Sequence, residues 1–374
     1  SGILMRITFL LPPVNMSGGI KVVAIYADFL HKRGHKVVLV SPPSPREGLL
    51  RRVRNYLLGR SVDSNSESHL DALDLDHRVL EQYRKPGNGD VPDADVIIAT
   101  WWETAEWVNE LSASKGAKAY FIQHHEIFDY LPLQRVHATY RLPLHKIVVA
   151  EWLRKVMKEQ YQDETVDLVS NSVDLDRFYS HDRDKQPVPT LAFLYNPTPF
   201  KGVDVTISAV RSLQEKLGDL RVLCFGVFPA GDDLLSIPGV EYSLNPSQER
   251  IRDIYASSDV WLTASRSEGF NLPAMEAMAC RTPVVSTRTG WPDEAIYPGK
   301  NGYLIDIDDV KALADCAEAI LKLDEAGWKA CSAHAYQTVA GSSWESSSLV
   351  FEQALMNACK RAENYEISGR CHSR

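Results

Sequence analysis

The sequence contains no run of about 18 apolar residues, so no segment is expected to cross a membrane as a helix. It contains no CxxC pair. Its six cysteines (224, 280, 316, 331, 359 and 371) all lie in the C-terminal half, and none joins histidine at zinc-ligand spacing. Reduced, structural thiols of a cytosolic protein are the expectation. No GxGxxG segment occurs, which argues against a dinucleotide cofactor. Positive charge is not in excess: the formal net charge of -8 disfavours a general nucleic-acid binder. Three Asp-x-Asp triplets occur, Asp74-Leu75-Asp76, Asp174-Leu175-Asp176 and Asp306-Ile307-Asp308. None has a supporting loop context, so neither a metal nor another cofactor is expected. Ser1 to Leu4 reads as a remnant before a native Met5, and no apolar stretch follows that would make a signal peptide. A cytoplasmic protein is expected.

What is present fits two soluble domains: 374 residues, 44% hydrophobic and 24% charged. Residues 6–11 form a short apolar run ending at Pro12-Pro13, as a buried parallel strand does. A loop containing Gly18 and Gly19 follows, then a helix from about Ile20 to Lys32, a stop at Gly34 and a second strand at 36–40. Strand, loop, helix and strand in this order make a βαβ unit. Further strands are predicted at 95–100, 119–122 and 146–150. A second series follows the polar linker Ser180 to Gln186 and its flanking Pro187 and Pro189, with strands at 190–194, 221–225, 259–262 and 283–286. The fold class is therefore α/β, with two doubly wound, Rossmann-like domains. Ligands in such sheets bind beyond the strands' carboxyl ends, which predicts a cleft between the domains.

Chemistry concentrates in Ser265-Arg266-Ser267-Glu268-Gly269-Phe270-Asn271-Leu272-Pro273-Ala274-Met275-Glu276. The segment follows a predicted strand. Pro273 suits a helix's first turn, where its missing N–H costs nothing. Free N–H groups around Phe270 to Ala274 would attract phosphate. Glu276, expected in that first turn, is placed to accept hydrogen bonds from ribose hydroxyls, and Glu268 to reach a neighbouring group. The same glutamates would equally serve to complement the helix dipole. From the residues alone both readings stand.

This segment, continued by Thr282-Pro283-Val284-Val285, resembles the E-x7-E motif of family 4 retaining glycosyltransferases with the GT-B fold. Asn171-Ser172-Val173-Asp174 through Phe178 resembles the family's N-G-V-D-x-x-x-F segment, and Lys201-Gly202-Val203-Asp204 its K-G-x-D segment. The resemblance implies that Glu268 contacts the donor sugar, Glu276 binds ribose, and amides of Gly269, Phe270, Asn271 and Leu272 meet the pyrophosphate. It implies that Lys201 neutralises the leaving phosphate. It further implies a nucleotide-sugar donor, a glycan, lipid-linked or small-molecule acceptor, and transfer with retention. One departure stands out. The family's arginine five residues before that lysine is Asn196 here, so the bidentate cation is missing. Arg266 or Arg288 would have to replace it, or turnover is weaker, or Asn196 marks a subgroup with another anchor. A catalytically silent protein that binds a sugar nucleotide or a partner is the alternative.

In the N-terminal half, Gln123-His124-His125-Glu126 follows a strand, and the family often has a histidine near the donor sugar here. Both His124 and His125 qualify, and a pair of loop histidines bonded to backbone is the plainer reading. Gly18 and Gly19 lie where the family has a glycine-rich loop, and they permit close backbone approach to a ligand. Arg46 to Arg60 reads as a basic amphipathic helix, either packed on the domain or lying on the inner face of an anionic membrane. Trp101, Trp102 and Trp107 either line an acceptor site or pack. The expected domains are 5–180 for the acceptor, 187–345 for the donor and 346–374 for a helix returning across the hinge. The last residues, from Tyr365, are expected to fray.

Overall fold

The computed structural model describes residues 3–15, 17–44 and 68–372. The basic segment Arg46–Arg60 lies outside the described residues. By contacts the chain divides into two units: residues 1–149, 153–170 and 345–374, and residues 150–152 and 171–344.

The first unit carries β1 (Arg6–Leu10), α1 (Gly18–Lys32), β2 (Lys36–Ser41), β3 (Asp76–Val79), β4 (Val96–Ala99), α2 (Trp102–Glu110), β5 (Ala117–Ile122), α3 (Leu133–Thr139), β6 (His145–Val148), α4 (Glu151–Tyr161, from Leu153 on) and β7 (Asp167–Leu168). Its sheet runs β3-β2-β1-β4-β5-β6-β7, with every pair parallel. The second unit carries β8 (Thr190–Leu194), α5 (Val203–Leu217), β9 (Arg221–Gly226), α6 (Asp232–Leu235), β10 (Glu241–Leu244), α7 (Gln248–Ala256), β11 (Val260–Thr263), α8 (Leu272–Ala279), β12 (Val284–Thr287), α9 (Gly290–Ala295), β13 (Gly302–Ile305), α10 (Val310–Leu321) and α11 (Glu325–Val339). Its sheet runs β10-β9-β8-β11-β12-β13, again parallel. Both orders reverse direction beside the unit's first strand, as in the Rossmann arrangement. Central strands such as Val96-Ile97-Ile98-Ala99 are buried throughout because helices cover both faces of a parallel sheet.

The last helix, α12 (Trp344–His372), groups with the first unit from Glu345 onward. Phe351 is fully buried there, stacked on Tyr26 with centroids 4.5 Å apart and edge-on to Phe121 at 5.2 Å. Glu352 pairs with Arg33 at 3.0 Å and with His35. The helix runs to His372, through the stretch expected to fray.

Two expectations need correction. The first domain ends at Ser170 rather than 180, because Val173 and Phe178 are buried and Phe178 packs edge-on against Tyr255 of α7. The polar linker is likewise held to the second unit, where Arg183 donates to Ser258 O at 2.7 Å and lies over the Trp328 ring. Four strands, β3, β7, β10 and β13, went unpredicted.

Candidate functional site

In the second unit the sheet order reverses between β8 and β11. A solvent-open hollow of about 390 Å³ lies there, lined by the residues that follow both strands, among them Asn196, Lys201, Ser265, Glu268 and Asn271. Crevices at this position in doubly wound sheets are where ligands bind.

Lys201 reaches the hollow because the turn before α5 presses against the end of β11. Gly202 has φ +64°, and a Cβ on it would stand 1.9 Å from Ala264 O, so only glycine fits. Lys201 Nζ then lies 2.9 Å from Glu268 Oε1, and the Ser265 hydroxyl donates to the same oxygen at 2.6 Å. Lys201 is the one cation among the residues lining this hollow.

The loop joining β11 to α8 is shaped by Asn271, which sits in the left-handed region at φ +78°. Its side-chain oxygen accepts the Ala274 N–H and its amide donates to Thr263 Oγ1 at 3.0 Å. Behind the loop Gly290 has φ +60°, and a Cβ there would meet Phe270 O at 2.7 Å. Trp291 stacks on Phe270 and donates its backbone N–H to Phe270 O at 2.8 Å. The N–H groups of Gly269, Phe270, Asn271 and Leu272 have no protein acceptor among the described residues. Such a run of amides suits an anion.

The sequence reading is corrected at three points here. The Ala274 N–H is capped by Asn271 rather than free. Glu276 stands in the second turn of α8, because the helix starts at Leu272. It is buried, accepts the Tyr255 hydroxyl at 3.0 Å, and does not line the hollow. Asn196 does line the hollow, with its side-chain oxygen folded onto the Thr198 N–H at 3.0 Å, an Asx turn that shapes the chain before Lys201. Neither arginine replaces the missing cation. Arg266 is held by Asp204 at 2.8 Å and Asp308 at 2.6 Å, and Arg288 faces Asp306 at 3.4 Å. Sequence reasoning did not single out Ser265, Tyr255 or Gly290. A glycine just before Trp291-Pro292 was the available signal for the last.

In the first unit Gly18 and Gly19 form the first turn of α1 rather than a loop, because the Ser17 hydroxyl caps the Ile20 N–H. A Cβ at Gly18 would meet nothing within 4 Å, and at Gly19 only the Gln123 side chain, at 3.5 Å. The two histidines separate clearly. His125 is buried, with Nε2 2.7 Å from the Tyr161 hydroxyl, which lies 2.7 Å from His137 Nδ1 as well. Burial, aided by His137 and His124, pushes the His125 pKa down to about 4. His124 is half-buried, with Nδ1 3.0 Å from His125 O and its ring edge-on to Phe128. Glu126 is buried and accepts the Trp102 N–H at 2.9 Å at the start of α2, and burial holds its carboxyl well above the usual range. Trp102 and Trp107 pack in the core, whereas Trp101 is half-buried.

Among the described residues no cluster of His, Cys, Asp or Glu is arranged to hold a metal ion, and no helix is long and apolar enough to cross a membrane.

Residues 188–323 match the family described as Glycosyl transferases group 1. The match lies wholly within the second unit. Among curated relatives, the D-inositol 3-phosphate glycosyltransferase of Mycolicibacterium smegmatis is 32% identical over 194 residues, which is 46% of this chain and 44% of that protein. The N-acetyl-alpha-D-glucosaminyl L-malate synthase of Bacillus anthracis is 40% identical over 78 residues, 21% of this chain and 20% of that protein. The chain thus spans less than half the length of the curated relatives it matches. Solved structures extend the likeness across both units. HepE of Anabaena, in complex with UDP and glucose, has a TM-score of 0.70 at 14% identity, covering 94% of this chain and 99% of that one. A TarM mutant of S. aureus, in complex with Fondaparinux, alpha-GlcNAc-glycerol and UDP, has a TM-score of 0.69 at 12% identity, covering 94% and 100%. The fold of the chain is accordingly that of the GT-B glycosyltransferases.

Proposed function

We propose that the chain transfers a hexose-type sugar from a nucleotide diphosphate sugar to a glycan, lipid-linked or small-molecule acceptor, with retention and without a metal. The observation that carries this reading is the juxtaposition, at the β8–β11 reversal, of Lys201 with a loop of unengaged amides. In the reaction the bond from the anomeric carbon to the diphosphate breaks and its electron pair leaves with the phosphate oxygen. The acceptor oxygen bonds to that carbon on the same face, and its proton passes to the departing phosphate. Charge builds on the leaving group, so stabilising that charge is the protein's main contribution. Lys201 and the amides of Gly269 to Leu272 supply it. Glu268 contacts the sugar, by resemblance to the family. In the first unit His124, the more exposed histidine, is the better candidate for a ligand contact, with Gly18 and Gly19 admitting a ligand beside α1.

HepE and TarM were each solved with UDP, which makes UDP-sugars the first donors to try. The missing arginine at Asn196 favours one second reading, a silent protein that binds the nucleotide without turnover. Release of nucleoside diphosphate from a panel of nucleotide sugars, followed with and without EDTA, separates the two. EDTA-insensitive release with a retained anomer in the product supports transfer. Binding without release by the folded protein supports the silent reading.

A further inference from the structure

The loop between β11 and α8 is held from behind by its carbonyl groups. Phe270 O accepts the backbone N–H of Trp291, and Gly269 O accepts the indole N–H of Trp152 at 2.9 Å. No peptide bond here is cis. In a trans peptide the N–H of one residue points opposite to the C=O of the residue before it. Tying Gly269 O therefore aims the Phe270 N–H away from Trp152, and tying Phe270 O aims the Asn271 N–H away from Trp291. Neither N–H has a protein acceptor among the described residues.

Trp152 is itself held. Its backbone N–H and that of Glu151 point to the Glu294 carboxylate, at 3.3 Å and 3.4 Å. Glu294 lies in α9, the short helix that begins with Gly290 and Trp291. Residues 150–152 group with the second unit. One bracket, Trp291 and Glu294 with Trp152, thus fixes two successive peptide planes. The Trp291 contact is a backbone one that any residue other than proline would make. The Trp152 contact depends on its side chain.

We propose that Trp152 is a positioning residue for the transfer reaction: its indole N–H orients the Gly269–Phe270 peptide so that the Phe270 N–H meets the donor diphosphate. The inference rests on the reading of the hollow as a donor site. It distinguishes Trp152 from a packing residue, because a peptide flip would cost the diphosphate a hydrogen bond and leave the nucleoside untouched.

The test compares UDP and uridine binding by calorimetry in the wild type and in Trp152→Phe, which keeps an aromatic ring and removes the donor. The UDP-to-uridine affinity ratio is expected to fall about tenfold, as for loss of one hydrogen bond to a charged group, while uridine affinity stays unchanged. An unchanged ratio in a variant that folds overturns the inference. If Trp152→Phe does not fold, Glu294→Ala, which releases the Trp152 backbone, should lower the same ratio, and an unchanged ratio there overturns it equally. A folded wild type that binds uridine but gains nothing from the diphosphate refutes the donor-site reading, and this inference with it.

Discussion

Lys201 Nζ and the Ser265 hydroxyl converge on one oxygen of Glu268, at 2.9 Å and 2.6 Å. The cation assigned to the phosphate and the carboxylate assigned to the sugar therefore satisfy each other at rest. On the proposed reading a donor phosphate entering the hollow shares Lys201 with this carboxylate, which lowers the gain from the phosphate contact.

Glu268→Gln thus separates binding from turnover. Transfer should fall by about 100-fold or more, the scale of losing one polar group that stabilises the reacting centre. Affinity for the nucleoside diphosphate should hold or rise, because Lys201 is released. Steady-state rates and calorimetry on one preparation check both halves.

Gly202 and Gly239 both have positive φ, +64° and +67°, but only Gly202 is crowded, by Ala264 O at 1.9 Å. Gly239→Ala should cost about 1–2 kcal/mol from backbone strain alone. Gly202→Ala must also push the Lys201 turn off β11. It should cost roughly 2 kcal/mol more and weaken nucleotide binding. Chemical denaturation of the two variants makes the comparison.

Phe351 ties the last helix into the first unit through Tyr26, Phe9 and Phe121. Phe351→Ala should destabilise that unit by about 3–5 kcal/mol, the cost of a large cavity in a packed core. Denaturant unfolding with far-UV detection measures it.

How much of this was legible follows the burial of each strand. β1, β2, β4 and β5, like β8, β9, β11 and β12, carry continuous apolar runs and were read from the sequence. The strands that escaped, β3, β7, β10 and β13, are the four sheet edges. Asp76-His77-Arg78-Val79 has one flank open to solvent, so it needs no apolar run and gives no periodic signal. The site divides in the same way. Glu268 and Lys201, which line the hollow, stand out in the sequence because their motif is local. Trp152, the Tyr255 partner of Glu276, and the engagement of Arg266 by Asp204 depend on contacts between distant segments, which spacing does not reveal.

His125 gives a pH signature. Its folded pKa, about 4, lies below the ordinary histidine value of 6.5. The unfolded chain therefore binds the extra proton first as pH falls. The contribution of neutral His125 is intact above pH 6.5 and is lost as pH drops from there toward 4. His137, Tyr161, Tyr140 and His124 surround the ring, so His125→Asn should flatten that part of the stability curve. Melting temperatures across pH 4 to 7 for both proteins show whether it does.

The most direct measurement is calorimetric titration of UDP, GDP and ADP into wild type and Lys201→Met in metal-free buffer. One of the three is expected to bind the wild type, and Lys201→Met to weaken it about 10- to 100-fold, the worth of a charged hydrogen bond to phosphate. Folded protein that binds none of them, or that binds one equally well without Lys201, would contradict the assignment of the β8–β11 hollow as a nucleotide-sugar site.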